Sequence, residues 1–288
     1  MTSPSALWQV NGILAAELPI NDRGLAYGDG LFETLRWQPS GCPLWYLHRA
    51  RLLSGCARLN LPLDDTVLDA QYTQFLATVT QQNSTLEHAI IKLIVTRGQG
   101  GRGYVPPHTP SLNIIWQLLP APAIAKEARQ GVGLQVSAVR LAEQPLLAGL
   151  KHLNRLEYVL AAQQATEGLQ PLLLDNAGHI IETLSHNIFA VEGKNLLTPR
   201  LYRAGVKGVL RDFTQTHAPK LGFVFCESDL LLPQLLQAPE VFIGNSVRGY
   251  WPVTSLVDDG VQKNWPIGSL CLQLQHHFES YLKNTHDV

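Results

Sequence analysis

Gly149-Leu150-Lys151-His152-Leu153-Asn154-Arg155-Leu156-Glu157 is the stretch around which this chain is organised. Before it lies an alternating run, 132–141, that reads as a strand. After it, from His152 to about Thr166, Leu153, Leu156, Val159 and Leu160 recur at helical spacing, with Gly168 as a stop. The pattern predicts a helix whose mouth carries Lys151, where the positive end of the helix dipole disfavours an ammonium. A cation placed there and desolvated loses its proton more easily and becomes a nucleophilic amine. A solvated loop lysine fits the same local pattern, so the rest of the chain has to decide.

Working outward toward the N-terminus, Asn11-Gly12 between two apolar runs predicts a hairpin over 8–20 with a type I′ turn. The segment 22–36, Asp-Arg-Gly-Leu-Ala-Tyr-Gly-Asp-Gly-Leu-Phe-Glu-Thr-Leu-Arg, carries glycines suited to tight turning or close approach. It continues into a strand on which Phe32, Thr34 and Arg36 alternate with Glu33 and Leu35. A second strand is expected over 43–47, a helix over 48–59 bearing Arg51 and Arg58, and another over 67–81. A strand over 89–96 runs into Arg97-Gly-Gln-Gly-Gly-Arg102-Gly-Tyr104, which reads equally as an anion clamp or as a hairpin tip. A strand over 111–118 then ends at Pro120-Ala-Pro122, the best interdomain linker.

Beyond Lys151, short strands are expected over 171–174, 180–182, 188–192 and 196–198. Glu182 ends an apolar strand and is either a surface carboxylate or one held for a cationic partner. Gly205-Val-Lys-Gly208-Val209-Leu210 opens a helix through Thr216 whose free amides make a phosphate seat, although plain capping explains the turn as well. A last strand, 240–245, ends in Asn245-Ser246, and a terminal helix follows Gly268. The expected organisation is α/β (α+β) in two domains: 1–118, a linker over 119–126, and 127–288 with Lys151 in the second.

The 288-residue chain is 45% hydrophobic with a formal net charge of −1, which supports real cores and argues against nucleic acid or an anionic membrane as the main partner. No run approaches a membrane span of ~20 apolar residues. Met1–Gln9 lacks a basic segment ahead of an apolar core, so no secretory signal is expected. Cys42, Cys56, Cys226 and Cys271 form no CxxC pair, and His276-His277 reads as part of a solvated helix. A reduced, cytoplasmic protein without a metal site is the expectation.

A lysine, an arginine on an early helix, a glutamate at a strand end and a phosphate-ready helix start together match the needs of pyridoxal 5′-phosphate. Their order and spacing resemble the fold-type IV pyridoxal-phosphate family from about Trp8 to Leu282. That family holds branched-chain aminotransferases, D-amino-acid aminotransferases and aminodeoxychorismate lyases. The resemblance implies a two-domain fold with the site between the domains, in a homodimer. It gives Lys151 the cofactor aldehyde, Arg51 of His-x-x-Arg-Leu the phosphate, and Glu182 of Glu-x-x-x-x-Asn-Ile-Phe the pyridine nitrogen. Val209 and Leu210 offer amides to phosphate, and Asn245 and Ser246 complete the cup. Leu210 stands where several relatives carry a threonine, which removes a hydroxyl donor but leaves the amides.

Three stretches, 28–34, 97–104 and 151–157, look most like the lyase branch, and Arg-Gly-x-Gly-Gly-Arg-Gly-Tyr is the most specific of them. This likeness implies elimination from 4-amino-4-deoxychorismate to 4-aminobenzoate and pyruvate, with substrate contacts at Tyr27, Arg97, Arg102 and Tyr104. Lys151 would move the proton, and Thr34 is the candidate relay to the departing group, or else simply a β-branched strand residue. The alternatives are an aminotransferase on the same fold and an idle carrier of the cofactor.

Overall fold

The computed structural model describes residues 7–83, 85–121 and 126–285. The chain divides into two units. The first takes the described residues up to 121 and, apart from them in sequence, Lys151–Asn154; the second takes those from 126 to Leu150 and Arg155–Asn284. Lys151 thus belongs with the first unit, not with the C-terminal domain to which sequence reasoning assigned it. Residues 122–125 of the expected linker lie outside the described residues.

The first unit comprises β1 (Leu7–Val10), β2 (Ile13–Leu14), α1 (Arg23–Tyr27), β3 (Gly30–Trp37), α2 (Trp45–Arg58), α3 (Asp65–Gln82), β4 (Ala89–Thr96) and β5 (Asn113–Pro120). Its antiparallel sheet has the order β2-β1-β5-β4-β3. Asn11 and Gly12 have φ of 51° and 82°, the paired positive values of the expected hairpin turn. One face of the sheet is closed by α2 and α3. Trp116 on β5 lies 5.8 to 5.9 Å, centroid to centroid, from the rings of Trp45, Tyr72 and Phe75. No strand forms over 43–47, because α2 starts at Trp45, whose ring stacks on Tyr72 of α3 at 4.1 Å. Burial of that indole decides the segment against its alternating pattern.

The second unit comprises α4 (Glu127–Gln130), β6 (Val132–Leu141), α5 (Leu156–Gln163), β7 (Leu169–Asp175), β8 (Ile180–Thr183), β9 (Asn187–Glu192), β10 (Asn195–Pro199), α6 (Val209–His217), β11 (Val224–Ser228), α7 (Leu232–Gln237), β12 (Glu240–Asn245), β13 (Gly249–Asp258), β14 (Val261–Asn264) and α8 (Ser269–Asn284). Its mixed sheet runs β11-β10-β9-β12-β13-β6-β7-β8, with β14 on β13. Leu134, Leu172, Ile188, Ile243, Val253 and Trp265 belong to one core cluster. An aromatic layer joins Phe189, Phe242 and Tyr250 of the strands to Phe278 of α8, which meets Phe213 of α6 edge-on at 5.2 Å.

Asp22 ties α1 into the first unit. Its fully buried carboxylate caps α1 at Gly24 N (2.7 Å) and accepts from Thr96 Oγ1 (2.7 Å) and Asn113 Nδ2 (2.7 Å). Asp22→Ala would remove the cap and leave two buried donors unsatisfied. A loss of about 2–4 kcal/mol in urea unfolding is expected.

Candidate functional site

In the first unit Lys151 is held by its backbone, not by a helix. Phe32 N–H donates to Lys151 O and Leu153 N–H to Gly30 O, both at 3.0 Å, with Leu31 opposite His152. The segment thereby lengthens the sheet at the edge of β3. The expected helix mouth is absent, since α5 begins only at Leu156 and the dipole argument for Lys151 does not apply. The glycines of Gly28-Asp29-Gly30 make this docking possible. A Cβ on Gly30 would stand 2.3 Å from Val95 O and 2.9 Å from Leu153 Cδ1. Gly28, at φ 65°, leaves room for Asn154, whose Nδ2 donates to its carbonyl at 3.2 Å. Lys151 Nζ lies 4.3 Å from the Phe32 ring centroid, and Phe32, Thr34 and Arg36 share one partly exposed side of β3.

The opposite side of β3 carries an ionisable cluster that the sequence reading missed. Glu33, only 1% exposed, receives Arg51 Nε at 2.8 Å and a second, shorter contact from Arg51 Nη2. His48 Nδ1 lies 2.6 Å from the same carboxylate. Burial alone would raise the Glu33 carboxyl. The Arg51 charge and the hydrogen bonds from His48 and Arg51 outweigh it and hold the carboxyl at about 2. His48 is lowered, first by burial, against the pull of Glu33 and with the charges of Arg51 and Lys151 adding to the effect. The signal was available: Glu33 occupies an inward position between Leu31 and Leu35, where only a paired charge is stable.

Arg97 does not form the anticipated anion clamp. It is 8% exposed, and its Nε donates to Asp29 at 2.8 Å. Its Nη atoms donate to Leu59 O and Asn60 O at 2.9 and 3.0 Å, so it closes the carbonyl end of α2. Arg23, unremarked in the sequence, also holds Asp29 at 2.9 Å and ties down the loop through Gly103 O (2.9 Å) and Tyr104 O (3.2 Å). Burial pushes the Asp29 carboxyl up, but hydrogen bonds and charge from Arg97 and Arg23 carry it below the usual range. Arg102 and Tyr104 stay exposed on that loop. The Tyr104 ring meets Tyr27 at 5.5 Å, and Arg23 lies 4.9 Å over Tyr27.

In the second unit Glu182 is 4% exposed and well supplied with donors. Tyr158 Oη lies 2.5 Å from it, Val206 N 3.1 Å and Asn187 Nδ2 3.4 Å. The alternative of a surface carboxylate is excluded. At the start of α6 the side chains of Val209 and Leu210 are buried, so only their amides can meet a ligand, and a helix leaves its first amides unpaired. A Cβ on the N-cap Gly208 would stand 2.0 Å from Asn187 Oδ1, and one on Gly244 2.7 Å from Leu210 Cδ2. The start of α6 and the end of β12 are therefore brought together, as expected. The Asn245 side chain is committed to its own turn, accepting from Val247 N (3.0 Å) and Arg248 N (2.7 Å) and donating to Ser185 O (3.1 Å). Ser246 lies in the same turn. Among the described residues no helix is long and apolar enough to cross a membrane, and no group of three or more His, Cys, Asp or Glu is arranged to hold a metal ion.

A two-layered unit with an edge-docked lysine and a second unit with a buried carboxylate and a helix start packed through Gly208 and Gly244 define the class. The family model for aminotransferase class IV matches residues 30–256, and the chain belongs to that family. It is 36% identical to the aminodeoxychorismate lyase of Vibrio harveyi over 93% of this chain and 98% of that protein. The crystal structure of 4-amino-4-deoxychorismate lyase from Pseudomonas aeruginosa superimposes with a TM-score of 0.88 at 42% identity, covering 95% of this chain and 98% of that one. The branched-chain-amino-acid aminotransferase of Escherichia coli K12 is 27% identical over 86% of this chain and 82% of its own.

Glu33→Gln keeps the shape but removes the countercharge of Arg51, and about 3 kcal/mol of stability should be lost near neutral pH. Because the folded carboxyl sits at about 2, below its ordinary 4.5, its contribution is complete above 4.5 and disappears as pH falls toward 2. Urea midpoints at about pH 7, 5 and 3 should therefore fall less steeply for the variant than for the wild type.

Proposed function

We propose that this chain is a pyridoxal-phosphate-dependent lyase that converts 4-amino-4-deoxychorismate to 4-aminobenzoate and pyruvate, the step that supplies 4-aminobenzoate for folate. The observation that carries the reading is near-full-length likeness to two lyases, at 36% and 42% identity, against 32% for a putative branched-chain-amino-acid aminotransferase of Methanocaldococcus jannaschii and 27% for that of Escherichia coli. The aminotransferase is the second reading, since it shares the scaffold.

The residues present fit the cofactor. Gly208 and Gly244 let the start of α6 pack closely on Asn187 and the end of β12, the first turn of α6 leaves backbone amides for an anion, and Glu182 is a buried carboxylate fixed by donors. When bound, the cofactor supplies an electrophilic aldehyde and a ring that accepts electrons. Lys151 offers the amine and afterwards carries the proton at Nζ, against the apolar face of Phe32. Arg51, its guanidinium plane set by Glu33, and the amides of Val209 and Leu210 hold the phosphate, with Asn245 and Ser246 beside them. Glu182 holds a proton on the ring nitrogen. Thr34, on the same side of β3 as Phe32, donates or relays the proton that the departing enolpyruvate needs. Substrate contacts fall to Tyr27, Arg102 and Tyr104; Arg97 acts behind them by holding Asp29 and the end of α2.

The enzyme works in the cytoplasm as a homodimer. The apolar stripe of α5 supports the second copy, because Leu156 is 78% exposed and Val159 and Leu160 about half exposed.

Supplying 4-amino-4-deoxychorismate and following 4-aminobenzoate fluorescence tests the reading; an enzyme that instead only exchanges amino groups with simple amino acids is the aminotransferase. Lys151→Ala should abolish both turnover and the borohydride-reducible cofactor linkage, and a linkage surviving in the variant would point to another lysine. Thr34→Ala should slow 4-aminobenzoate release by about 10²-fold while sparing cofactor binding and slow amino-group exchange. Equal losses in both reactions would leave Thr34 a packing residue.

A further inference from the structure

We infer that Tyr158 is the positioning residue for Glu182: its hydroxyl keeps the carboxylate ionised and turned so that the proton shared with the cofactor's ring nitrogen stays on nitrogen. The inference rests on the proposed function for the role of Glu182, but the Tyr158–Glu182 pair itself is independent of it.

The geometry is that of a built contact. Tyr158 lies in the first turn of α5, and its ring packs against the cluster of Leu141, Ala161, Leu173, Ile181 and Ala204. Leu173 faces Glu182 across β7 and β8, so the same cluster that fixes the ring flanks the carboxylate. Arg155 lies 4.8 Å over the ring, and the hydroxyl reaches Glu182 Oε1 at 2.5 Å, the short end of the range for O–H to carboxylate. Val206 N donates to both carboxylate oxygens, at 3.2 and 3.1 Å, and Asn187 Nδ2 approaches Oε2 at 3.4 Å. Burial, then the charge of Glu182, raises the Tyr158 phenol, so it stays protonated and serves as donor throughout the working pH range.

A donor to the charged form lowers a carboxylate's proton affinity. A less basic Glu182 is a weaker competitor for the ring proton, and the ion pair of carboxylate with pyridinium is favoured over a neutral acid beside a neutral ring. Tyr158 acts through Glu182 and needs no contact with cofactor or substrate.

Tyr158→Phe removes only the hydroxyl and keeps the ring in its cluster. In apoprotein carrying ¹³C-labelled glutamate, with Glu182→Gln identifying the signal, the Glu182 carboxyl should titrate tenfold or more less acidic in the variant, about one pKa unit. In holoenzyme reconstituted with ¹⁵N-labelled cofactor, the ring nitrogen should be protonated in the wild type and move toward the unprotonated shift in the variant. An unchanged Glu182 titration, or an unchanged ring nitrogen, overturns the inference. A wild-type ring nitrogen that is unprotonated, or insensitive to Glu182→Gln, overturns the assigned role of Glu182 and this inference with it. The apoprotein arm tells that failure apart from a failure of the hydrogen bond. Should Tyr158→Phe not fold, 3-fluorotyrosine at 158, a stronger donor of nearly the same shape, should shift the Glu182 titration in the opposite direction, and no shift overturns the inference.

Discussion

Two backbone hydrogen bonds, from Phe32 N–H to Lys151 O and from Leu153 N–H to Gly30 O, set the arrangement of the first unit's chemistry. A lysine on a helix or a free loop would depend on side-chain packing for its position. A lysine whose peptide is part of a sheet edge has its Cα fixed by the same ladder that orders β3. The cost is steric, because the docking segment must approach β3 closely, and Gly28 and Gly30 are where a Cβ would collide with it. The glycine-rich stretch and the lysine stretch, about 120 residues apart in the sequence, are thus two halves of one contact. The same pairing brings the Lys151 amine over Phe32, two positions from Thr34.

Two carboxylates, the buried Glu33 and the part-buried Asp29, hold three of this unit's arginines. Glu33 takes Arg51 and His48, and Asp29 takes Arg23 and Arg97. Buried ion pairs contribute little net stability relative to apolar packing, but removing one partner is costly, so their effect is to fix orientation. For Arg51 the orientation is that of a guanidinium plane on the proposed phosphate. For Arg23 and Arg97 it is that of a loop, since their other donors close the end of α2 and the carbonyls of Gly103 and Tyr104. An arginine in a glycine-rich loop is as easily a fastener as a ligand, and only the position of its acceptors distinguishes the two.

Much of the fold was legible because strand alternation is a local property. The strands over 89–96, 132–141 and 240–245 have the bounds that the pattern predicts, and the Asn11-Gly12 turn has its predicted handedness. Helical period misled where it was not a burial signal: Leu156, Val159 and Leu160 repeat correctly yet are exposed, and Leu153 lies outside α5 altogether. The run 43–47 misled in the opposite sense, its alternation overridden by the stacking of Trp45 on Tyr72. In the candidate site, Lys151, Arg51 and Glu182 are nominated by residue type, order and family resemblance together. Their partners are not, because Glu33 with Arg51, Arg97 with Leu59 and Tyr158 with Glu182 are contacts across 18, 38 and 24 residues that no local pattern encodes.

On the proposed reading the second unit also accommodates Leu210, whose side chain is buried and takes no part in holding phosphate. The proposed phosphate seat is made of amides at the start of α6, which Gly208 and Gly244 let pack against Asn187 and the end of β12, and the side chains of Val209 and Leu210 are buried. A seat built from backbone is indifferent to the side chains that carry it, provided the glycines remain. Glu182 is likewise held in part by a backbone donor, Val206 N. Such a unit can serve lyase and aminotransferase alike. On the proposed reading, what separates those chemistries must then reside in side chains of the first unit. The exposed side of β3 around Thr34 and the loop bearing Arg102 and Tyr104 are where a substitution changes chemistry without disturbing cofactor binding.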